Sequence, residues 1–198
     1  MNVGWLGLSV AGAIVLGLSV WGALGPRIAP AEQRVFRAVN HLPGWLYPVV
    51  WLPMQLGNLV VGTAVGLLAA LAFGDWAMAL GVLVAMWLKL VVERVVRRRM
   101  AGHLAVRQRP GVSEPGATLR GDVPASGPSF PSGHVILVAA IGSVVAPALP
   151  VAWVWVPAAL MLLVMLGRVF VGAHNPLDVA AGVGAGLVVG GVIAIFVR

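Results

Sequence analysis

The sequence predicts an all-α fold, a polytopic membrane helical bundle of about six transmembrane helices with one interfacial amphipathic helix. Three observations predict it. Hydrophobic residues make up 60% of the 198 and charged residues only 10%, against about 25% charged in a soluble domain. Mean hydropathy is +0.99. The apolar residues fall into six stretches, and a span needs about 20 such residues. This composition cannot cover a core with polar surface, which excludes a soluble globular enzyme. The chain has no cysteine, which excludes a disulfide framework, Cys-ligated zinc, an Fe–S cluster and a thiol nucleophile. Six spans use most of the chain, so residues 1–198 are expected to form a single membrane-embedded domain with multi-pass placement in the cell membrane.

Each element has its own signal. The first span runs from Val3 to Leu24. It has no Lys or Arg before its apolar run and is long for a signal-peptide core, so it reads as a span. Ala29 to His41 sets Arg34, Arg37 and His41 among apolar residues, the pattern of a helix lying in the interface. The second span starts after Trp45, with Pro48 and Pro53 as kink sites, and ends near Phe73 before a Gly74-Asp75 turn. The third is apolar from Trp76 to Leu88 and then charged. There Lys89, Glu93 and Arg97 share one helix face and read as an ion-pair ladder at the membrane edge. Residues 97–131 hold no apolar span and are rich in Gly, Pro, Ser and Arg. A loop that long in a compact bundle signals function. The fourth span covers Ser132 to Val145, the fifth Val151 to about Val171, and the sixth Pro176 to Val197. The small residues of the sixth suit close helix packing. There is no internal repeat.

The polar chemistry gathers at one membrane face. Six spans place both termini on one side, with the turns at Gly74 and Pro147. The other side receives the amphipathic helix, the long loop and the 172–175 connection. Arg107 and Arg109, the latter followed by Pro110, offer planar donor forks that fit phosphate oxygens. Ser132 is placed as a helix N-cap, so backbone N–H groups near Gly133 and His134 face the loop side, a ready anion site. Gly133 lets a ligand approach the backbone. Arg168 lies in an apolar span, where a charge is costly and usually functional. Asn175 and Pro176 read as N-cap and first helical residue. Asp178 then falls in the first turn, within reach of His174. A carboxylate on one imidazole nitrogen fixes the tautomer and frees the other nitrogen to attack.

In order, Arg109-Pro110, Pro131-Ser132-Gly133-His134 and Arg168…His174…Asp178 resemble the type 2 phosphatidic acid phosphatase family, membrane lipid phosphatases related to vanadium haloperoxidases. Its signatures are K-x6-R-P, P-S-G-H and S-R-x5-H-x3-D. The second is matched completely. The third lacks its leading Ser, which is Gly167 here, and the first lacks its Lys, which is Gly102 here. Arg107, Arg99 and Lys89 are the cations that could replace that Lys, and Arg107 is the nearest in sequence.

The resemblance implies a lipid phosphatase that hydrolyses a phosphomonoester or diphosphate through a phosphohistidine. His174 is then the nucleophile, Asp178 its orienting partner and His134 the proton donor. Arg109, Arg168, Ser132 and Gly133 bind phosphate, with Arg107 in place of the Lys. Arg120→Ala is expected to be nearly silent in phosphate release. No metal, cofactor or nucleic acid is expected; the partners are the bilayer and a lipid phosphate. Two alternatives stand beside this: a lipid phosphotransferase on the same scaffold, and a non-catalytic lipid-binding or transport protein. The excess of Lys and Arg on the site side points to the cytoplasm, whereas the resemblance points to the extracytoplasmic face. The reading requires Arg109, His134, Arg168 and His174 to surround one hollow.

Overall fold

The computed structural model describes residues 3–25, 27–103 and 107–197; at 3, 97 and 99–103 only the backbone is described. The elements are α1 (Val3–Ala23), α2 (Pro30–Asn40), α3 (Tyr47–Met54), α4 (Leu59–Ala72), α5 (Trp76–His103), α6 (Pro110–Ser113), α7 (Gly133–Val145), α8 (Val156–Phe170) and α9 (Pro176–Val197), with short 3-10 turns between several of them.

The small residues of α9 put it at the centre. A Cβ on Gly184 would lie 2.7 Å from the Gly12 carbonyl oxygen of α1. One on Gly186 would lie 2.6 Å from the Ile136 carbonyl oxygen of α7. Backbones can approach this closely only where side chains are absent. The most apolar stretch of α9 is accordingly 67% buried, against 22% for Gly4–Ala23 and Val151–Phe170. Those outer helices turn apolar residues outward. Leu6, Val10, Ile14, Leu18 and Trp21 form an exposed stripe along α1, suited to lipid rather than water.

Gly4–Ala23, Val151–Phe170 and Pro176–Val197 are long and apolar enough to cross a membrane as single segments. The second stretch differs from the sequence expectation. It is broken, with 74° between Gly44–Gly57 and Leu59–Ala72. The break is not at a proline; Pro53 lies inside α3. It falls at Gly57-Asn58, where Asn58 Oδ1 accepts the N–H groups of Val60 and Val61 and restarts the chain as α4. An N-cap asparagine satisfies the donors that a new helix leaves open. The apolar helix Gly133–Ala148 is shorter than a full span. It packs against α5 and α9 through Leu137, Ala140, Ile141 and Val144.

Helix α5 runs to His103 rather than ending at Arg97. The charged run there ends the apolar stretch but not the helix, because Arg, Val and Met sustain helix well enough. The loop therefore starts later than expected. Arg99, a candidate for the missing cation, and Arg97, the last rung of the expected ladder, have side chains outside the described residues. Helix α2 buries Glu32, Phe36 and Asn40 at four-residue spacing and packs on α8 and α9.

Candidate active site

The loop before α7 is ordered by pairing with itself. The Arg109 N–H donates to the Gly127 carbonyl (3.1 Å), the Ser129 N–H donates to the Arg107 carbonyl (2.9 Å), and Gln108 bridges Pro128 antiparallel. The Ser129 hydroxyl donates to the Arg107 carbonyl at 3.1 Å. The pairing holds the Arg109 side chain, whose Nη1 donates to the Ala173 carbonyl at 3.0 Å. It also turns the Ser129 carbonyl toward His174.

His174 follows a tight turn at the end of α8. Gly172 has φ +77°, and a Cβ there would lie 2.9 Å from the Thr118 carbonyl oxygen, so both the conformation and the space require glycine. His174 is 3% exposed, and its Nδ1 lies 2.8 Å from the Ser129 carbonyl oxygen. A carbonyl can only accept, so Nδ1 carries the proton and Nε2 keeps its lone pair. Burial, then the positive charges of Arg168, Arg109 and His134, hold the His174 pKa well below its ordinary value despite the Ser129 bond. The ring is therefore neutral.

Asp178 does not hold His174 as the spacing suggested. Its Oδ2 stands 3.9 Å from His174 Nδ1 and accepts the Asn175 N–H at 2.8 Å. Its Oδ1 accepts Arg107 Nε at 2.7 Å. The Asn175 bond is half of a capping box, an acid in the first helical turn reaching back to the N-cap N–H. The Asn175 side chain does not cap; it donates to the Gln108 carbonyl and the Ser113 hydroxyl.

Arg107 is likewise displaced from its expected role. Its Nη2 donates to Glu32, and its guanidinium lies buried between Glu32 and Asp178. Burial works against its charge, but Asp178 and Glu32 outweigh burial and raise its pKa. A guanidinium committed to two carboxylates is not the replacement for the missing lysine. Glu32 was missed in the sequence. Its Oε1 also accepts the Leu177 N–H at 2.8 Å. A buried acid on an amphipathic helix gives no local signal of a partner 75 residues away.

The other predicted residues come together. His174 feels the charges of Arg168, Arg109 and His134, and His134 those of Arg168, Lys89 and Arg109. Ser132 occupies the N-cap position of α7, but its side chain makes no capping bond. Its Oγ and Arg168 Nε are buried without a hydrogen-bond partner. Unpaired buried donors are costly, and two of them beside two histidines and a second arginine mark the place for an anion. His134 is packed on its far side by the helix break: a Cβ on Gly57 would lie 2.5 Å from His134 Cβ. Among the described residues no group of three or more His, Cys, Asp or Glu converges as metal ligands would.

A family model described as PAP2 superfamily matches residues 76–198, more than half of the chain and all of the site from Lys89 to Asp178. The chain belongs to the PAP2 superfamily. Two solved structures share its fold. One is LpxE of Aquifex aeolicus, with TM-score 0.68 and 21% identity over 82% of this chain and 93% of that one. The other is the first transmembrane PAP2-type phosphatidylglycerolphosphate phosphatase from Bacillus subtilis, with TM-score 0.68 and 22% identity over 97% of this chain and 94% of that one. No curated protein matches the chain.

The departure at Gly167 from the PAP2 pattern has a packing counterpart. A Cβ at Gly167 would lie 2.6 Å from Met54 Cγ and 2.7 Å from its Sδ. The Met54 thioether fills the space that a serine side chain would take. Arg120 has a structural place in the loop. Its Nη1 donates to the Asn40 carbonyl (2.9 Å) and the Phe170 carbonyl (2.6 Å), its Nη2 to the Leu42 carbonyl (3.2 Å), and its guanidinium stacks 4.1 Å over the Phe170 ring. It ties the loop to the C-terminal ends of α2 and α8, where unpaired carbonyls favour a cation.

Proposed function

We propose that this PAP2 chain is a membrane lipid phosphatase that cleaves a phosphomonoester or diphosphate of a lipid, of the phosphatidate, phosphatidylglycerol phosphate or polyprenyl phosphate type, through a phosphohistidine. The observation that carries the reading is the buried His174 with its Nδ1 against the Ser129 carbonyl, beside Arg109, Arg168 and His134.

The Nε2 lone pair of His174 attacks phosphorus in line, and the bond from phosphorus to the lipid oxygen breaks. Protonated His134 gives its proton to the departing oxygen. Neutral His134 then takes a proton from the water that attacks the phosphohistidine, phosphate leaves, and His174 is restored. Splitting one displacement into two lowers each barrier. Arg109, Arg168, the Ser132 hydroxyl and the Gly133 N–H hold the phosphoryl oxygens, whose charge distribution shifts in the transition state. These fixed donors supply the electrostatic stabilisation. Apolar helix faces around the site admit the lipid tails from the cell membrane.

The test is release of inorganic phosphate from a panel of lipid phosphates by the purified protein in detergent, with trapping of ³²P-labelled protein. The label should be acid-labile and alkali-stable, and absent in His174→Ala. Turnover at wild-type rate in His174→Ala would remove it as the nucleophile. A phosphorylated acceptor without free phosphate would make the protein a phosphotransferase.

A further inference from the structure

The Lys89–Glu93 pair does more than ladder the edge of a helix. A Cβ built on Gly133 would lie 2.8 Å from Glu93 Oε1 and 2.9 Å from Oε2. The carboxylate therefore presses on the backbone at the N-terminus of α7. Lys89 Nζ meets Glu93 Oε2 at 2.7 Å, and both side chains are mostly buried, 12% and 15% exposed. Ser132 Oγ, at the same turn, is fully buried with no partner. Next in the chain, His134 feels the charges of Arg168, Lys89 and Arg109.

A solvated surface pair has no reason to push its carboxylate against the start of a helix, one residue before His134. A carboxylate is drawn there for the reason a phosphate would be: the uncapped N–H groups and the positive end of the helix. A phosphoryl group gripped by Arg109, Arg168 and the start of α7 would border the same ground. Two anions in contact repel strongly in a partly dry site.

We propose that Lys89 and Glu93 form a charge switch at the phosphate position: Glu93 holds the anion place in the free protein, and Lys89 passes from Glu93 to the phosphoryl oxygens when substrate binds. Lys89 then supplies the cation that is absent at Gly102, from a place on α5 that the family spacing does not predict. The proposal rests on the phosphatase reading for the identity of the anion.

The test is equilibrium binding of inorganic phosphate to the full-length protein in detergent, by calorimetry, so that no turnover is needed. Glu93→Gln removes the competing charge and should bind phosphate at least about tenfold tighter; Lys89→Met should bind at least about tenfold weaker. Lys89→Arg should stay near wild type, and Lys89→Gln repeats the test should the Met variant not fold. Thermal melts identify variants that are merely misfolded. A structural pair would shift the melts of both variants downward without moving phosphate affinity in opposite directions. Unchanged or weaker binding in Glu93→Gln overturns the switch, as does unchanged binding in folded Lys89→Met or Lys89→Gln. Opposite shifts in phosphate affinity, with no lipid phosphate hydrolysed by the wild type, would keep the switch and sink the phosphatase reading.

Discussion

His174 Nδ1 sits 2.8 Å from the Ser129 carbonyl oxygen, while Asp178, four residues further on, stands 3.9 Å away with both its oxygens engaged elsewhere. The backbone of the loop, rather than the carboxylate in the first turn of α9, fixes the tautomer of the central imidazole. Asp178 instead balances Arg107 and caps α9.

Asp178→Asn is therefore expected to act on stability before chemistry. It leaves Arg107 buried with one carboxylate removed, and breaking a buried pair from one side costs about 3–5 kcal/mol. Melts in detergent should fall clearly, while the fraction that folds should still release phosphate. A variant that melts like the wild type yet is inactive would restore Asp178 to the role of imidazole partner.

The pH profile should lack an acid limb near the usual histidine value. In the proposed mechanism His174 attacks when neutral, and burial, then the charges of Arg168 and Arg109, lowers its pKa well below 6.5. The neutral form persists above that lowered value, so acidification through 6.5 does not disarm it. Measured kcat/KM for a lipid phosphate should hold from about pH 7 down past 6.5, since this ratio reports the free enzyme. A midpoint at or above 6.5 on the acid side, unmoved in His134 variants, would contradict the assignment.

Arg120→Ala should destabilise the loop. The side chain bonds three carbonyls on two helix ends, and charge-assisted bonds of this kind contribute on the order of 2 kcal/mol together once partial exposure is allowed for. Limited proteolysis between residues 107 and 131 should accelerate, and Arg120→Lys should recover only part of the loss. An unchanged cleavage rate would mean the clip is dispensable.

Putting the family serine back at Gly167 should lower activity or stability rather than raise it. The new side chain meets Met54, and overpacking costs about 1–3 kcal/mol unless the neighbour yields. Met54→Ala alone opens a gap. The pair Gly167→Ser with Met54→Ala should recover most of the loss, a coupling that a double-mutant cycle measures. Additive effects would show that the two positions do not share space.

The amino-acid sequence alone determined the class of molecule and most of the residues to examine. Apolar runs fix helices in lipid because every backbone donor and acceptor must be paired within the helix. The short signatures around Arg109, His134 and His174 are legible because each is local, a turn or a helix start with chemistry attached. The small residues of α9 likewise announced close packing. Only the tertiary structure decided which partners those groups have. Arg107 meets Glu32 and Asp178 across 75 and 71 residues, and His174 meets Ser129 across 45. The break at Gly57-Asn58 under His134, the Met54 that replaces a hydroxyl and the Glu93 that presses on Gly133 are contacts of the same kind. A charge or a carbonyl chooses its partner by distance in space, and the spacing of letters along the chain does not contain that distance.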